Sequence, residues 1–109
     1  MKIMTLHEIC IDAGVSRRAV QGYEKAGLVS ASGKNERGYL LYNVYSQERI
    51  KKIKFFQQLG FTIKEIKGII DAPNDVLKSA LEDRIKELKE ERADMQQLIN
   101  KAYELIKTL

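Results

Sequence analysis

All seven glycines and the single proline of this 109-residue chain lie before position 74. The last 36 residues hold neither helix breaker and are rich in Leu, Ile, Lys, Glu, Gln and Ala, which favour helix. The sequence therefore predicts two parts: a compact, turn-containing module over 1–72 and, over 73–109, one long helix that follows Pro73. At about 1.5 Å per residue that helix runs roughly 50 Å. Leu81, Leu88, Met95, Ala102 and Leu109 recur every seven residues. Leu77, Leu98 and Leu105 supply the alternating spacing of three and four, and Ile85, Ile99 and Ile106 widen the face. A lone helix cannot bury such a stripe. Each large side chain contributes about 1.5–3 kcal/mol when fully buried, so the drive to pair is strong. Arg84, Glu91 and Arg92 interrupt or border the seam midway, which suits a helix that also packs elsewhere, for instance on a partner's first module. Folding back on its own module is the lesser alternative, because the break at Pro73 is followed by uninterrupted helix.

Charge divides at the same boundary. Residues 1–73 carry 12 basic and 7 acidic side chains, whereas 74–109 carry 7 and 8, for a formal net charge of +4. A basic module points to a polyanionic partner, most often nucleic acid, although an excess of this size also arises by chance on a solvated surface. No stretch approaches the roughly 18 apolar residues of a membrane span. The N-terminus lacks the apolar run and cleavage site of a secretory signal, so the expected compartment is the cytoplasm. One cysteine can make neither an internal disulfide nor a cysteine-rich metal site.

The first module reads as helices with explicit starts and stops. Thr5-Leu6-His7-Glu8 has the form of a capping box. Leu6, Ile9, Cys10 and Ala13 follow at helical spacing, and Gly14 ends the helix. Ser16 caps a second helix that runs from Arg17 to Lys25, with Gly27 as its stop. Two short helices about a tight turn make a helix-turn-helix, with Ala13, Val15 and Val20 expected in its corner. Such a motif reads base edges with the N-terminal end of its second helix, where Arg17 and Arg18 lie. Leu28-Val29, a polar tract over 30–38 and Tyr39-Leu40-Leu41-Tyr42 read as a small β-hairpin, or wing, with Lys34, Arg37 and Tyr39 near its tip. Asn43 caps a third helix with Ile50, Ile53, Phe56 and Leu59 as its apolar stripe and Lys51, Lys52 and Lys54 expected in solvent. Gly60 closes it. Thr62-Ile63-Lys64-Glu65 is a second capping box, followed by Ile66, Ile69 and Ile70 on the face of Ile63. Ala72-Pro73-Asn74-Asp75 is expected to break the chain and cap the long helix. The fold class is mainly α: a winged helix-turn-helix of four helices and a small hairpin, then a long coiled-coil helix.

Three segments in this order carry a resemblance. Gly14 to Val29, Arg37-Gly38-Tyr39-Leu40-Leu41-Tyr42 and Leu59-Gly60-Phe61-Thr62-Ile63-Lys64-Glu65-Ile66 together resemble the MerR family of bacterial transcription regulators. The resemblance implies a homodimer joined by an antiparallel coiled coil through Leu77, Leu81, Ile85, Leu88, Met95, Leu98, Ile99, Ala102, Leu105 and Ile106. It implies double-stranded promoter DNA with an over-long spacer, which the dimer bends and untwists so that RNA polymerase is served indirectly. It also implies site roles. Arg18 matches the family's DNA-touching arginine, and Arg17 is a neighbouring position that tunes sequence preference. Tyr23 matches a phosphate-contacting tyrosine, Arg37 and Tyr39 match wing contacts, and Lys64 suits a phosphate contact. Gln21 and Lys34 complete the DNA-facing set. Gln21, Gly22 and Leu40 depart from the family, which has Arg, an aromatic or His, and Arg there. Two lost cations imply weaker binding or a shallower salt slope. Gly22 costs roughly 1 kcal/mol of helix stability relative to Ala; a close approach by DNA backbone or by the wing would account for it.

Other chemistries lack their parts. Cys10, on the apolar face of the first helix, reads as a small core residue. His7 reads as a surface residue, with a phosphate contact as the lesser option. One His, one Cys and no convergent carboxylates leave no catalytic or metal site, so neither an enzyme nor a cofactor is expected. No effector-binding segment follows the long helix, which leaves either a very short sensor or the DNA-binding part of a longer protein, with its small-molecule effector unassigned. The competing function is a helical interaction module whose basic half docks an acidic protein, which would not require the Arg17-Arg18 start or the Arg37-Tyr39 wing. A monomeric winged-helix architectural factor, as in phage excisionases, would not need the long helix.

Overall fold

The computed structural model describes residues 2–109. The elements in order are β1 (Met4–Thr5), α1 (Leu6–Ala13), α2 (Arg17–Lys25), β2 (Gly33–Lys34), β3 (Leu40–Tyr42), α3 (Val44–Leu59), α4 (Ile63–Ile69) and α5 (Asn74–Lys107). They form two compact units that adjoin in sequence between Asp71 and Ala72.

Helix starts in the first unit are set locally by side chains. The Thr5 hydroxyl accepts from the Glu8 N–H at 3.2 Å, and the Glu8 carboxylate accepts from the Thr5 N–H at 3.0 Å. Thr62 and Glu65 repeat this box for α4, while Ser16 and Asn43 cap α2 and α3. Gly14 (φ 65°) and Gly60 (φ 108°) end α1 and α3 in the left-handed region. A side chain at Gly14 would also meet the Lys54 ammonium at 2.9 Å.

The three strands form an antiparallel sheet in the order β1-β3-β2, with Met4 opposite Tyr42 and Gly33 opposite Leu41. The outer strand of the wing is Gly33–Lys34, not Leu28-Val29. Those two apolar side chains are buried in the core, which delays the ladder until the chain re-emerges. β1 was not expected at all, being too short to show a period of two.

The core surrounds α3. Ile50, Ile53 and Phe56 point inward and meet Ile9 of α1, Val20 and Tyr23 of α2, Tyr42 of β3 and Ile66 of α4 among the buried residues. Val20 seals the corner of the first two helices, while Ala13 and Val15 are half-buried. Cys10 is half-buried too, and desolvation pushes its thiol pKa up. The Tyr42 hydroxyl donates to Glu24 at 2.7 Å, and burial beside that carboxylate pushes its pKa well above the ordinary phenol value. Among the described residues no buried side-chain nitrogen or oxygen lacks a partner.

Two of the lysines expected in solvent are engaged. Lys51 pairs with Asp12 at 2.8 Å, and Lys54 donates to the Ala13 carbonyl at 3.2 Å and to the Gly14 carbonyl. Lys54 thus serves the unsatisfied carbonyl end of α1, where a cation is also favoured by the helix dipole. Lys52 is exposed, its ammonium 5.9 Å from the Phe56 ring centre.

The second unit is dominated by α5, 34 residues without a break. Its start falls within the expected stretch 72–75. Pro73 occupies the N-cap with no side-chain cap, and Asn74 and Asp75 lie inside the first turn. Proline suits a helix start because its missing N–H is not needed there, and Asp75 complements the dipole. No residue of α5 is buried. Ile85 and Ile99 are 48% exposed, and Met95, Leu98, Leu105 and Ile106 are each above 60%. Among the described residues no helix is long and apolar enough to cross a membrane.

Ile53→Ala opens a cavity at the centre of the first unit. It is expected to cost about 2–5 kcal/mol, read as a lower midpoint with unchanged slope in urea unfolding.

Candidate nucleic-acid interface

The candidate surface begins at the N-terminus of α2. Ser16 caps the helix by accepting from the Ala19 N–H at 3.0 Å, which puts Arg17 and Arg18 in the first turn, both exposed. No acidic residue shares that turn. Two cations at the positive end of a helix dipole are placed against the local field, and an anion resolves the conflict. Gln21 lies one turn on and is exposed.

The wing tip is built by Asn35. Its side-chain oxygen accepts from the N–H groups of Arg37 at 3.0 Å and Tyr39 at 2.9 Å, and Gly38 turns the chain at φ 80°. This Asx-type turn holds Arg37 and Tyr39 outward, with the Tyr39 ring 57% exposed. Lys34, on β2, is exposed beside them.

A groove of about 590 Å³ runs between these parts, lined by Thr5, Leu6, His7, Arg17, Gln21, Gly38, Tyr39 and Leu40. Of the candidate DNA-facing residues it gathers Arg17, Gln21 and Tyr39. Arg18, Lys34 and Arg37 are exposed outside its lining, and Lys64 is exposed in the first turn of α4. Among the described residues none of these cations pairs with a carboxylate, in contrast to Lys2, Arg49 and Lys51, which pair with Glu8, Asp71 and Asp12.

Tyr23 differs. Its ring is buried and its hydroxyl donates to Gln57 at 2.6 Å, so the structure places it between α2 and α3 rather than in the exposed set. His7 and Leu40 join the groove although neither was assigned to it. The link is the pairing of β1 with β3, which carries the start of α1 to the wing, and two-residue strands leave no mark in a sequence. Gly22 is exposed, and a side chain there would meet open space; the wing does not approach it. Among the described residues no cluster of His, Cys, Asp or Glu could hold a metal ion.

The helix pair, wing and long helix have counterparts. Residues 4–73 match the family model of the MerR HTH family regulatory proteins. The chain belongs to the MerR family. A second model, MerR, DNA binding, matches residues 47–101. The HTH-type transcriptional activator mta of Bacillus subtilis (strain 168) is 34% identical over 87 residues, covering 80% of this chain and 34% of that protein. The mercuric resistance operon regulatory protein of Bacillus cereus is 34% identical over 67 residues, covering 59% and 51%. The chain thus spans between a third and about half the length of these two MerR relatives. The crystal structure of the N-terminus of MtaN, the Bacillus subtilis multidrug transporter activator, superposes with a TM-score of 0.71 at 29% identity, covering 94% of this chain and 97% of that one. HiNmlR, a MerR family regulator lacking the sensor domain and bound to promoter DNA, gives 0.75 at 20% identity, covering 91% and 80%, a likeness of fold. These MerR relatives are transcriptional regulators, not enzymes.

Gly22→Ala fills open space and improves helix propensity. It is expected to raise stability by about 1 kcal/mol in urea unfolding; a loss of stability would show that the glycine serves the free fold.

Proposed function

We propose that this chain binds promoter DNA as a homodimer in the cytoplasm. The N-terminal turn of α2 enters the major groove, where Arg17 and Arg18 meet base edges and Gln21 follows one turn on. The wing lays Lys34, Arg37 and Tyr39 on the sugar-phosphate backbone, and Lys64 reaches a second phosphate. The two chains bend and untwist a spacer that is too long, so that RNA polymerase responds to reshaped DNA. The observation that carries this reading is the set of exposed cations without carboxylate partners on α2, the wing and the start of α4, around a groove between helix and wing, whereas Lys2, Arg49 and Lys51 are held by carboxylates. The departures at Gln21 and Leu40 remove two cations, so the salt slope is set by fewer phosphates than in a typical relative.

Fluorescence anisotropy against a pool of promoter-like duplexes, with salt varied, tests the proposal. Wild type is expected to select a subset of duplexes, with affinity falling steeply with salt. Arg18→Ala is expected to lose about 1–3 kcal/mol per half-site on the selected duplex, and Lys64→Ala to lower the salt slope by about 1 per chain, about 2 for the dimer, while weakening all duplexes alike. An Arg18→Ala variant that binds like wild type removes Arg18 from the interface. Weak, sequence-blind binding by wild type favours docking of an acidic protein instead.

A further inference from the structure

His7 is the only histidine of the chain. It is exposed in the first turn of α1 and lines the groove of about 590 Å³ between that helix start, α2 and the wing. Three elements bring polar side chains to this groove: His7 comes from α1, Arg17 and Gln21 from α2, and Tyr39 from the wing. Each of the four can donate a hydrogen bond, and no carboxylate lines the groove. Among the described residues none of these four side chains has a hydrogen-bond or ion-pair partner. The acid next in sequence, Glu8, is committed elsewhere: its carboxylate accepts from the Thr5 N–H at 3.0 Å and pairs with Lys2 at 3.3 Å. Free donors around a fixed positive charge, with no acid among them, suit an anion.

We propose that the groove seats a backbone phosphodiester of the bound duplex, that His7 holds it in the protonated form, and that DNA binding therefore takes up a proton. This deepens the DNA-binding reading above and rests on it. A strand whose bases meet Arg17 and whose sugar-phosphate meets Tyr39 runs through this groove, and His7 faces it from the third side.

The proton follows from the chemistry of the pair. Histidine is the side-chain type whose charge changes between about pH 5 and 8, whereas a phosphodiester keeps its single negative charge there. A phosphate oxygen against the ring favours the imidazolium, which donates a charge-assisted hydrogen bond, over the neutral ring. The complex then holds more protons than its free parts, and affinity rises as pH falls. The other charged groups around α1 are engaged away from the groove. Asp12 pairs with Lys51 of α3, which also has Glu48 beside it, and Lys54 of α3 serves the Ala13 and Gly14 carbonyls at the far end of α1. Tyr42 of β3 donates to Glu24. Cys10, one turn beyond His7, has its thiol pushed up by desolvation, against the opposing effect of Arg17.

Because the chain has one histidine, the imidazole C–H resonance of the intact, histidine-labelled protein reports His7 alone. Near neutral pH, adding a duplex that the chain binds is expected to move this resonance toward its position in acid. Inorganic phosphate at the same phosphate concentration is expected to leave it in place. Anisotropy titrations at pH 6 and pH 8 are an independent arm. Wild type is expected to bind about tenfold more tightly per chain at the lower pH. His7→Gln is expected to bind at both pH values as wild type does at pH 8, and His7→Arg at both as wild type does at pH 6, with helix content unchanged in each. A resonance that stays in place when duplex is added, or a His7→Gln variant with the pH dependence of wild type, overturns the contact while leaving DNA binding intact. A resonance moved equally by inorganic phosphate overturns the duplex as occupant. Failure to bind any duplex at either pH overturns the DNA-binding reading itself, and this inference with it.

Discussion

Helix α3 is the part on which the first unit depends. Its inner face supplies Ile50, Ile53 and Phe56 to the core. Its polar side chains then tie down the backbone of neighbouring segments. The buried Gln47 amide donates to the carbonyls of Lys2 at 2.7 Å and Tyr42 at 2.8 Å, which fixes both the N-terminal segment and the last strand. Arg49 donates to the Leu28 carbonyl at 2.5 Å and forks onto both oxygens of Asp71, holding that carboxyl below the usual carboxylate range. Lys54 closes the end of α1. Gln47, Arg49 and Lys54 each donate to a backbone carbonyl far away in the chain, and Gln47 also to the Tyr42 carbonyl in a buried bond.

This arrangement separates two kinds of basic residue. Those of α3 at Arg49, Lys51 and Lys54 are spent on the fold. Those of α2, the wing and α4 are left without carboxylate partners, on elements that α3 holds rigidly from behind. Tyr23 belongs with the first kind: its hydroxyl bond to Gln57 locks α2 to α3 and so fixes the angle at which Arg17 and Arg18 are presented. A reader of DNA gains from such a platform, since side chains on a braced helix lose less freedom on binding than side chains on a loop.

What could be read from the sequence was mostly what is local. Capping at Thr5, Ser16, Asn43 and Thr62 acts over three residues, so spacing alone reveals it. The apolar stripes of α3 and α5 repeat at the helical period for the same reason. The misses all involve partners distant in the chain or elements too short to show a period. Lys54 finds its carbonyls about forty positions away, and Tyr23 finds Gln57 34 positions away. The Met4–Thr5 strand is recognisable only beside Tyr42. Because that strand brings α1 to the wing, His7 and Leu40 were missed as groove residues. Exposed Arg17, Arg18 and Arg37 were legible because a cation at a helix start or turn tip has few other places to go.

The chain carries an exposed basic surface on its first unit and a helix with an exposed apolar stripe as its second, and the proposed function requires that two copies act on one duplex. Sedimentation velocity of the protein with a selected duplex, followed by absorbance of a dye on the DNA, tests this most directly. The account predicts a single complex of two chains per duplex, with no complex of one chain at any protein concentration that gives partial binding. A complex of one chain per duplex, stable and saturable, would contradict it.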